Sequence, residues 1–290
     1  MRTTAITPPM LRLTEIKLPL DHAPEEISQA AAARLKIAAS ELISCKVFKR
    51  SHDARKKENI FLVYLLDVEV KNEAALLKKF SNDQRVKPTP DISYKFVARA
   101  PANLKTRPIV IGAGPCGLFA GLVLAQMGFK PIILDRGKVV RERTKDTWDL
   151  WRKSKLHPES NVQYGEGGAG TFSDGKLYSQ IKDPRHLGRK VLTEFVKAEA
   201  PEEILTEAHP HIGTFRLVKM VENMRATIES LGGEYRWQHH VTDLDIDAQR
   251  RIQGVVLANG EHIAATHVVM AIGHSSRDTF QMLHQHGVYV

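Results

Sequence analysis

Residues 109–117 read Ile109-Val-Ile-Gly-Ala-Gly-Pro-Cys-Gly117, and the chain continues as LFAGLVLAQMGFK before Pro131-Ile-Ile-Leu-Asp135. A β-branched apolar run, a glycine turn matching G-x-G-x-x-G, an apolar stretch of helical length and a second apolar run ending in an acid together predict a strand, a turn, a helix and a second strand. Each residue type has a physical reason in that reading. Gly112 permits the tight turn, Gly114 lets backbone approach a pyrophosphate, and Gly117 permits close helix–strand packing, while free N–H groups at the helix start attract the anion. Asp135 follows Gly112 by 23 positions, near the roughly 20 at which an acid meets a ribose hydroxyl. This motif leaves NAD and FAD open, and Arg136 beside Asp135 keeps NADP open as well. A glycine-turned βαβ unit without a ligand would carry the same pattern.

The uncharged stretch Ile109–Phe129 approaches bilayer-spanning length. Its glycines and Pro115 fall where a strand–turn–helix unit needs them, so no membrane span is expected. A length of 290 residues suggests about two domains, and 42% hydrophobic with 26% charged residues is the composition of a globular protein. Two cysteines, Cys45 and Cys116, exclude a disulfide scaffold and a four-cysteine zinc site. They point to a reducing, cytoplasmic setting, and the start MRTTAITPPMLRL has no apolar core of a secretory signal. No C-x-x-C pair supports a thiol–disulfide relay, so Cys116 is expected to be a small buried hydrophobe.

Charge divides the chain unevenly. Of the formal net +9, residues 1–107 carry +8, from 20 Lys and Arg against 12 Asp and Glu. That basic region reads as a small α+β unit. Met10–Leu20 alternates as a half-buried strand; Asp21 and Pro24 open an Ala-rich helix to about Ala39. Ile43–Arg50 and Ile60–Val70 suggest an antiparallel pair, Asn72 caps a short helix, and Ile92–Val97 offers a last strand. The order β, α, β, β, α, β predicts a ferredoxin-like split βαβ domain over residues 1–100. Residues 101–107 then read as a linker, and 108–290 as an FAD/NAD(P)-binding Rossmann-like domain. The expected fold class is α/β, a ferredoxin-like α+β domain followed by a Rossmann-like domain with a β-meander.

In the second half, Arg141 to Asp183 reads as a charged, Gly-rich section broken by Trp148 and Trp151, and Pro184 opens a helix. Arg216–Leu231 is the clearest amphipathic helix, with Leu217, Met220, Val221, Met224 and Ile228 on one face and Gly232 as its C-terminal cap. Tyr235–Ile246, Ile252–Leu257 and Glu261–Ile263 suggest a meander turned at Asn259-Gly260. His267–Ile272 closes as a buried strand before Gly273.

That last strand, Thr266-His-Val-Val-Met-Ala-Ile-Gly273, resembles the Ala-x-Gly strand of flavoproteins with the glutathione-reductase-type FAD fold, which favours FAD. With DRGKVVRER after the second strand, NVQYGEGGAGTFSDGKL at 161–177, HPHIGTFRL near 210, AIGHSSRDTFQML near the end and SHDARKK at 51–57, the chain resembles the bacterial FAD-dependent, or NAD(FAD)-utilising, dehydrogenases. The resemblance runs from the N-terminal domain to the last residue. It implies an FAD-dependent oxidoreductase with an undefined small-molecule substrate, NAD(P)H being a candidate electron donor. It implies that Gly112, Gly114 and Gly117 hold the FAD pyrophosphate and Asp135 the adenosine ribose, with Arg136 and Arg143 near the adenosine end. Gly167, Gly168, Ala169, Gly170 and Thr171 would form a glycine loop near the pyrophosphate and flavin, flanked by Ser173, Asp174 and Lys176. Ala271 and Gly273 would touch the cofactor from the last strand. A plain surface loop is the alternative for Gly165–Gly175.

Other features point elsewhere. His209 with His211, and His239 with His240, lack a third ligand in a zinc-like pattern, so no metal site is expected. His274, next to Gly273, is a candidate catalytic residue that would tune the flavin or protonate a substrate. Lys46–Lys57 (KVFKRSHDARKK) holds six basic residues and one acid. It reads as a solvated basic hairpin, or as a phosphate-following surface in a catalytically incomplete RNA- or partner-binding module. An NAD(P)-dependent dehydrogenase without flavin is a third reading. Flavoproteins of the resembled fold continue beyond the Ala-x-Gly strand, and the tail His286–Val290 reads as the beginning of a strand. The chain is therefore expected to be the N-terminal portion of a longer family member.

Overall fold

The computed structural model describes residues 10–179 and 181–289, which form two compact units. One comprises the chain up to Ser93 with Leu177–Leu192 and Pro201–Pro210; the other comprises Tyr94–Lys176, Thr193–Ala200 and the chain from His211.

The first unit is built on β1 (Leu11–Pro19), α1 (Pro24–Leu35), β2 (Leu42–Asp53), β3 (Phe61–Val70), α2 (Glu73–Lys79) and β4 (Val86–Pro88), in the antiparallel order β2-β3-β1-β4. That is the split βαβ arrangement. In β1 the apolar residues change phase, with Leu11 and Leu13 followed by Ile16 and Leu18. A bulge at Glu15, whose φ is +59°, restores them to one buried face. On the sheet, Arg12 donates two hydrogen bonds to Asp67, at 2.7 and 2.8 Å, while the Phe48 ring lies between the guanidinium groups of Arg12 and Arg189.

Three expectations fail in this unit. The last strand is Val86–Pro88 and not Ile92–Val97: Val86 is buried in the core, whereas Val97 is 91% exposed. Residues 92–97 alternate correctly but pair with no strand of this sheet, whose β1 edge is taken by Val86–Pro88. Helix α1 ends at Leu35, because Lys36 turns left-handed at φ +54° and donates its N–H back to Ala32 and Ala33. Asn72 stands at the start of α2 without a side-chain capping bond.

The second unit is a parallel sheet, β5 (Ile109–Ile111), β6 (Ile132–Asp135), β7 (Glu234–Trp237) and β11 (Val268–Met270), in the order β11-β5-β6-β7. Helix α3 (Pro115–Gln126) links β5 to β6, and α4 (Val140–Lys153) follows β6. Helix α5 (Leu187–Lys197), whose residues up to Leu192 count with the first unit, precedes α6 (Thr214–Ser230), which buries all five residues of its apolar face. An antiparallel meander of β8 (Val241–Ile246), β9 (Ile252–Leu257) and β10 (His262–Ala264) precedes β11, and α7 (Arg277–Gln285) follows it. This is the Rossmann-like arrangement. Strand β5 has β6, the next strand in the chain, on one side and β11, the last, on the other. The carboxyl ends of β5 and β11 thus mark the switch point at which α/β sheets open a ligand crevice.

The expected first meander strand is two strands. Gln238, with φ +60°, breaks it, so that 234–237 joins the parallel sheet and 241–246 the meander. Helix α4 takes up the start of the section read as charged and Gly-rich. Its inward face is Val140, Arg143 and Thr147, helically spaced but mostly polar, which hid it from an apolar periodicity. Helix α5 starts at Leu187 rather than Pro184, after Asp183 accepts the N–H groups of Leu187 and Gly188. Near the end the chain forms α7. The strand expected to begin over His286–Val290 is absent from its described residues, since His286 ends α7 and Gly287 turns at φ +61°; Val290 lies outside the described residues, as does the start Met1–Pro9. Among the described residues no helix is long and apolar enough to cross a membrane.

Candidate functional site

The glycine turn is held by its surroundings. Gly112, with φ +100°, donates its N–H to Leu134 O at 2.7 Å, and a Cβ there would lie 2.4 Å from Ala271 O. At Gly117 a Cβ would lie 1.7 Å from Gly112 O. Gly114 is the N-cap of α3, whose first turn has neither a side-chain cap nor an acidic residue. Uncapped N–H groups without a nearby carboxylate on the same turn are the donor set that a phosphate requires.

The loop from Gly165 to Phe172 closes on this turn. Gly167 donates to Ala113 O at 2.9 Å, and a Cβ on Gly168 would lie 3.1 Å from Gly114 Cα. Gly114, Pro115, Cys116, Gly168 and Ala169 line a cleft together with Ala271, Gly273, His274 and Ser275. No atom lies within 4 Å of where a Cβ on Gly273 would stand, and its φ is +70°. Gly167, Gly170 and Thr171 do not face the cleft. Gly167 instead makes room for Thr171, whose Oγ1 would lie 2.1 Å from its Cβ.

Asp135 reaches the cleft at the end of β6, yet both its carboxylate oxygens accept backbone N–H groups, from Ala113 and Gly137, each at 2.7 Å. Burial pushes its carboxyl above the usual range, against the pull of those two bonds and of Arg143 and Arg136. It ties the two turns together, and each oxygen keeps a second lone pair for a ribose hydroxyl. Arg136 lines the cleft beside it.

Arg143 is not part of the cleft lining. It is fully buried and donates to the carbonyl oxygens of Asn161, Glu166 and Val162, at 2.8, 2.6 and 2.7 Å, with Phe172 beneath its guanidinium. Desolvation brings it down to about 10, opposed by the Asp135 and Glu166 carboxylates, so it is charged at neutral pH. Its role is to brace the loop that reaches the cleft.

Glu166, also fully buried, accepts the Val140 N–H at 2.7 Å and pairs with Arg225 at 3.0 Å. Burial is the largest influence and lifts its carboxyl above the ordinary range. A carboxyl raised in the fold contributes fully below its unfolded pKa and loses that contribution as pH rises through the folded value. Glu166→Gln cannot ionise, so its stability deficit against wild type shrinks as pH rises from about 4 to 8. Urea unfolding at a series of pH values checks this; a deficit that grows with pH contradicts it.

Cys116 corrects the expectation of a buried hydrophobe: it is exposed in the cleft wall, because the second residue of α3 points away from the sheet. Gln163, Tyr164, Ser276 and Thr279 also line the cleft; the sequence offers them only inside the two quoted motifs, with no role, and His239 and His240, weighed there only as metal ligands, line it as well. His274 is exposed, with Nδ1 2.8 Å from Ser275 Oγ, which donates to Gln163 Oε1 at 3.1 Å. The basic run lies on β2 and its connection to β3, where Arg50 pairs with Glu207 and Arg55 with Asp53. Among the described residues no group of three or more His, Cys, Asp or Glu is arranged to hold a metal.

Residues 106–288 match the pyridine nucleotide-disulphide oxidoreductase family, and residues 10–71 match a domain of unknown function. An uncharacterized protein of Clostridium beijerinckii is 38% identical over 284 residues, covering 96% of this chain and 51% of that protein. The chain thus spans about half the length of the curated relative it matches. Among solved structures, that of Thermovibrio ammonificans THI4 is 18% identical with a TM-score of 0.42, over 63% of this chain and 64% of that one. A 3-ketosteroid dehydrogenase from Rhodococcus jostii is 14% identical with a TM-score of 0.35, over 60% and 48% of the two chains.

Proposed function

The chain belongs to the pyridine nucleotide-disulphide oxidoreductase family, and from that premise we propose that it is an FAD-dependent oxidoreductase holding FAD in the cleft at the carboxyl ends of β5 and β11. The observation that carries the reading is the meeting of glycines from three segments in one cleft: Gly112 and Gly114 of the turn after β5, Gly168 of the loop, and Gly273 after β11. FAD, when bound, supplies the hydride or electron transfer. The uncapped start of α3 holds the pyrophosphate, and Asp135 receives the adenosine ribose on its remaining lone pairs. Gly168 and Ala169 let the backbone lie against the cofactor, and Gly273 leaves space in the same cleft. His274, with Ser275 and Gln163, holds or moves a proton at its imidazole. The motifs at 161–177 and 266–283 support membership of the NAD(FAD)-utilising dehydrogenases, with NAD(P)H as the electron donor. Two free cysteines suit a cytoplasmic setting.

Purified protein is expected to be yellow and to release FAD on denaturation. A colourless preparation that takes up no added FAD overturns the reading. Cys116 reports the location independently: a maleimide labels it faster than Cys45, whose thiol burial pushes up. Added FAD protects Cys116 and leaves Cys45 unchanged, as peptide mass spectrometry would show; equal labelling with and without FAD contradicts this placement.

A further inference from the structure

Arg136 occupies the place, just after the acid that ends β6, where a free arginine would receive a ribose 2′-phosphate. It is not free. Its Nε and one terminal nitrogen donate to the two oxygens of Glu159, at 2.5 and 2.9 Å, and the other terminal nitrogen donates to Asp278 at 3.1 Å. The guanidinium stands over the Tyr164 ring, 4.4 Å from its centroid, which fixes its plane. His240 completes the cluster, its ring nitrogens 3.6 Å from Glu159 and 3.4 Å from Asp278.

The charges decide what this end of the cleft accepts. One arginine is shared by Glu159 and Asp278, so the carboxylates of this cluster outnumber the cation while His240 is neutral and match the cations when it is protonated, and no positive charge is left over for an anion. A ribose with free hydroxyls brings neutral donors to such a site. A 2′-phosphate brings a charge between about −1.5 and −2 and finds its natural arginine already bidentate with a carboxylate. Releasing Arg136, which lines the cleft, would break its ion pairs and leave Glu159 and Asp278 with His240 alone against two carboxylates, which adds repulsion of the incoming anion to the lost pairs.

We propose that Glu159 and Asp278, by holding Arg136, make the cleft selective for dinucleotides with an unmodified adenosine ribose and exclude 2′-phosphorylated ones. This rests on the flavin reading above and deepens it, because it explains how FAD would be retained against NADP(H).

The test uses competition for FAD binding, read by flavin fluorescence, between ADP-ribose and 2′-phospho-ADP-ribose, which differ only in the phosphate. Against wild-type protein the phosphorylated probe competes about tenfold more weakly. In the Glu159→Gln/Asp278→Asn double variant the two probes come within about twofold of each other, and Glu159→Gln alone gives an intermediate gap. Equal competition in wild type, or an unchanged gap in both variants, overturns the selectivity while leaving FAD binding intact. Failure of wild-type protein to take up FAD at all overturns the flavin reading and this inference with it.

Discussion

Gly117→Ala is expected to melt about 6–12 °C below wild type and to be isolated without flavin. The new Cβ would stand 1.7 Å from Gly112 O, 2.8 Å from Gly112 C and 3.3 Å from Ala271 Cβ. The first two are backbone atoms of the turn itself, so no side-chain rotation relieves the clash. Either α3 moves off β5 or the turn opens. Overpacking costs of this kind reach about 3 kcal/mol, and at about 2–4 °C per kcal/mol for a unit of this size the melting shift follows. Cofactor loss accompanies it, because Gly112, Gly114 and Ala271 are cleft wall. Gly170→Ala is the control: nothing lies within 4 Å of its Cβ position, so its stability should stay within about 0.5 kcal/mol of wild type. Thermal unfolding followed by circular dichroism decides the matter, and equal melting of the two variants would contradict the packing described here.

Arg143→Met is expected to cost about 3–5 kcal/mol, the range for removing one member of a buried charged network. Three carbonyl oxygens, of Asn161, Val162 and Glu166, lose their donor, and the buried carboxylates of Asp135 and Glu166 lose a compensating cation. The damage should concentrate in residues 157–172, so limited proteolysis there should accelerate more than global unfolding does. Arg143→Lys should restore little, since one ammonium cannot reproduce the planar fork that reaches three carbonyls. Chemical denaturation and cleavage mapping together test this; a methionine variant as stable and protease-resistant as wild type would show that the arginine is dispensable.

The ease of reading different parts of the molecule follows from where their residues point. Helix α6 was legible because Leu217, Met220, Val221, Met224 and Ile228 all turn apolar side chains to the core. The Gly112–Gly117 turn was legible because a missing Cβ is a local requirement. Helix α4 was not, since its buried face is centred on Arg143, and burying a guanidinium depends on carbonyl groups about 20 residues further along. Strand β4 is silent in the sequence because a three-residue strand has too few alternations to show a period, whereas Ile92–Val97 shows one.

By itself, the amino-acid order determined the α/β class, the order of elements in the split βαβ unit, and the glycine turn between β5 and α3. Each of these rests on steric rules and hydrophobic periods that act over a few residues. Only the tertiary structure decided which residues share the cleft. It buried Arg143 behind the cleft lining and placed Cys116 and Tyr164 in that lining. It also joined Arg136 to Glu159 and Asp278, which lie 23 and 142 positions away along the chain. Contacts at such separations depend on how the sheet, α7 and the bracing loop pack, and no local pattern encodes them.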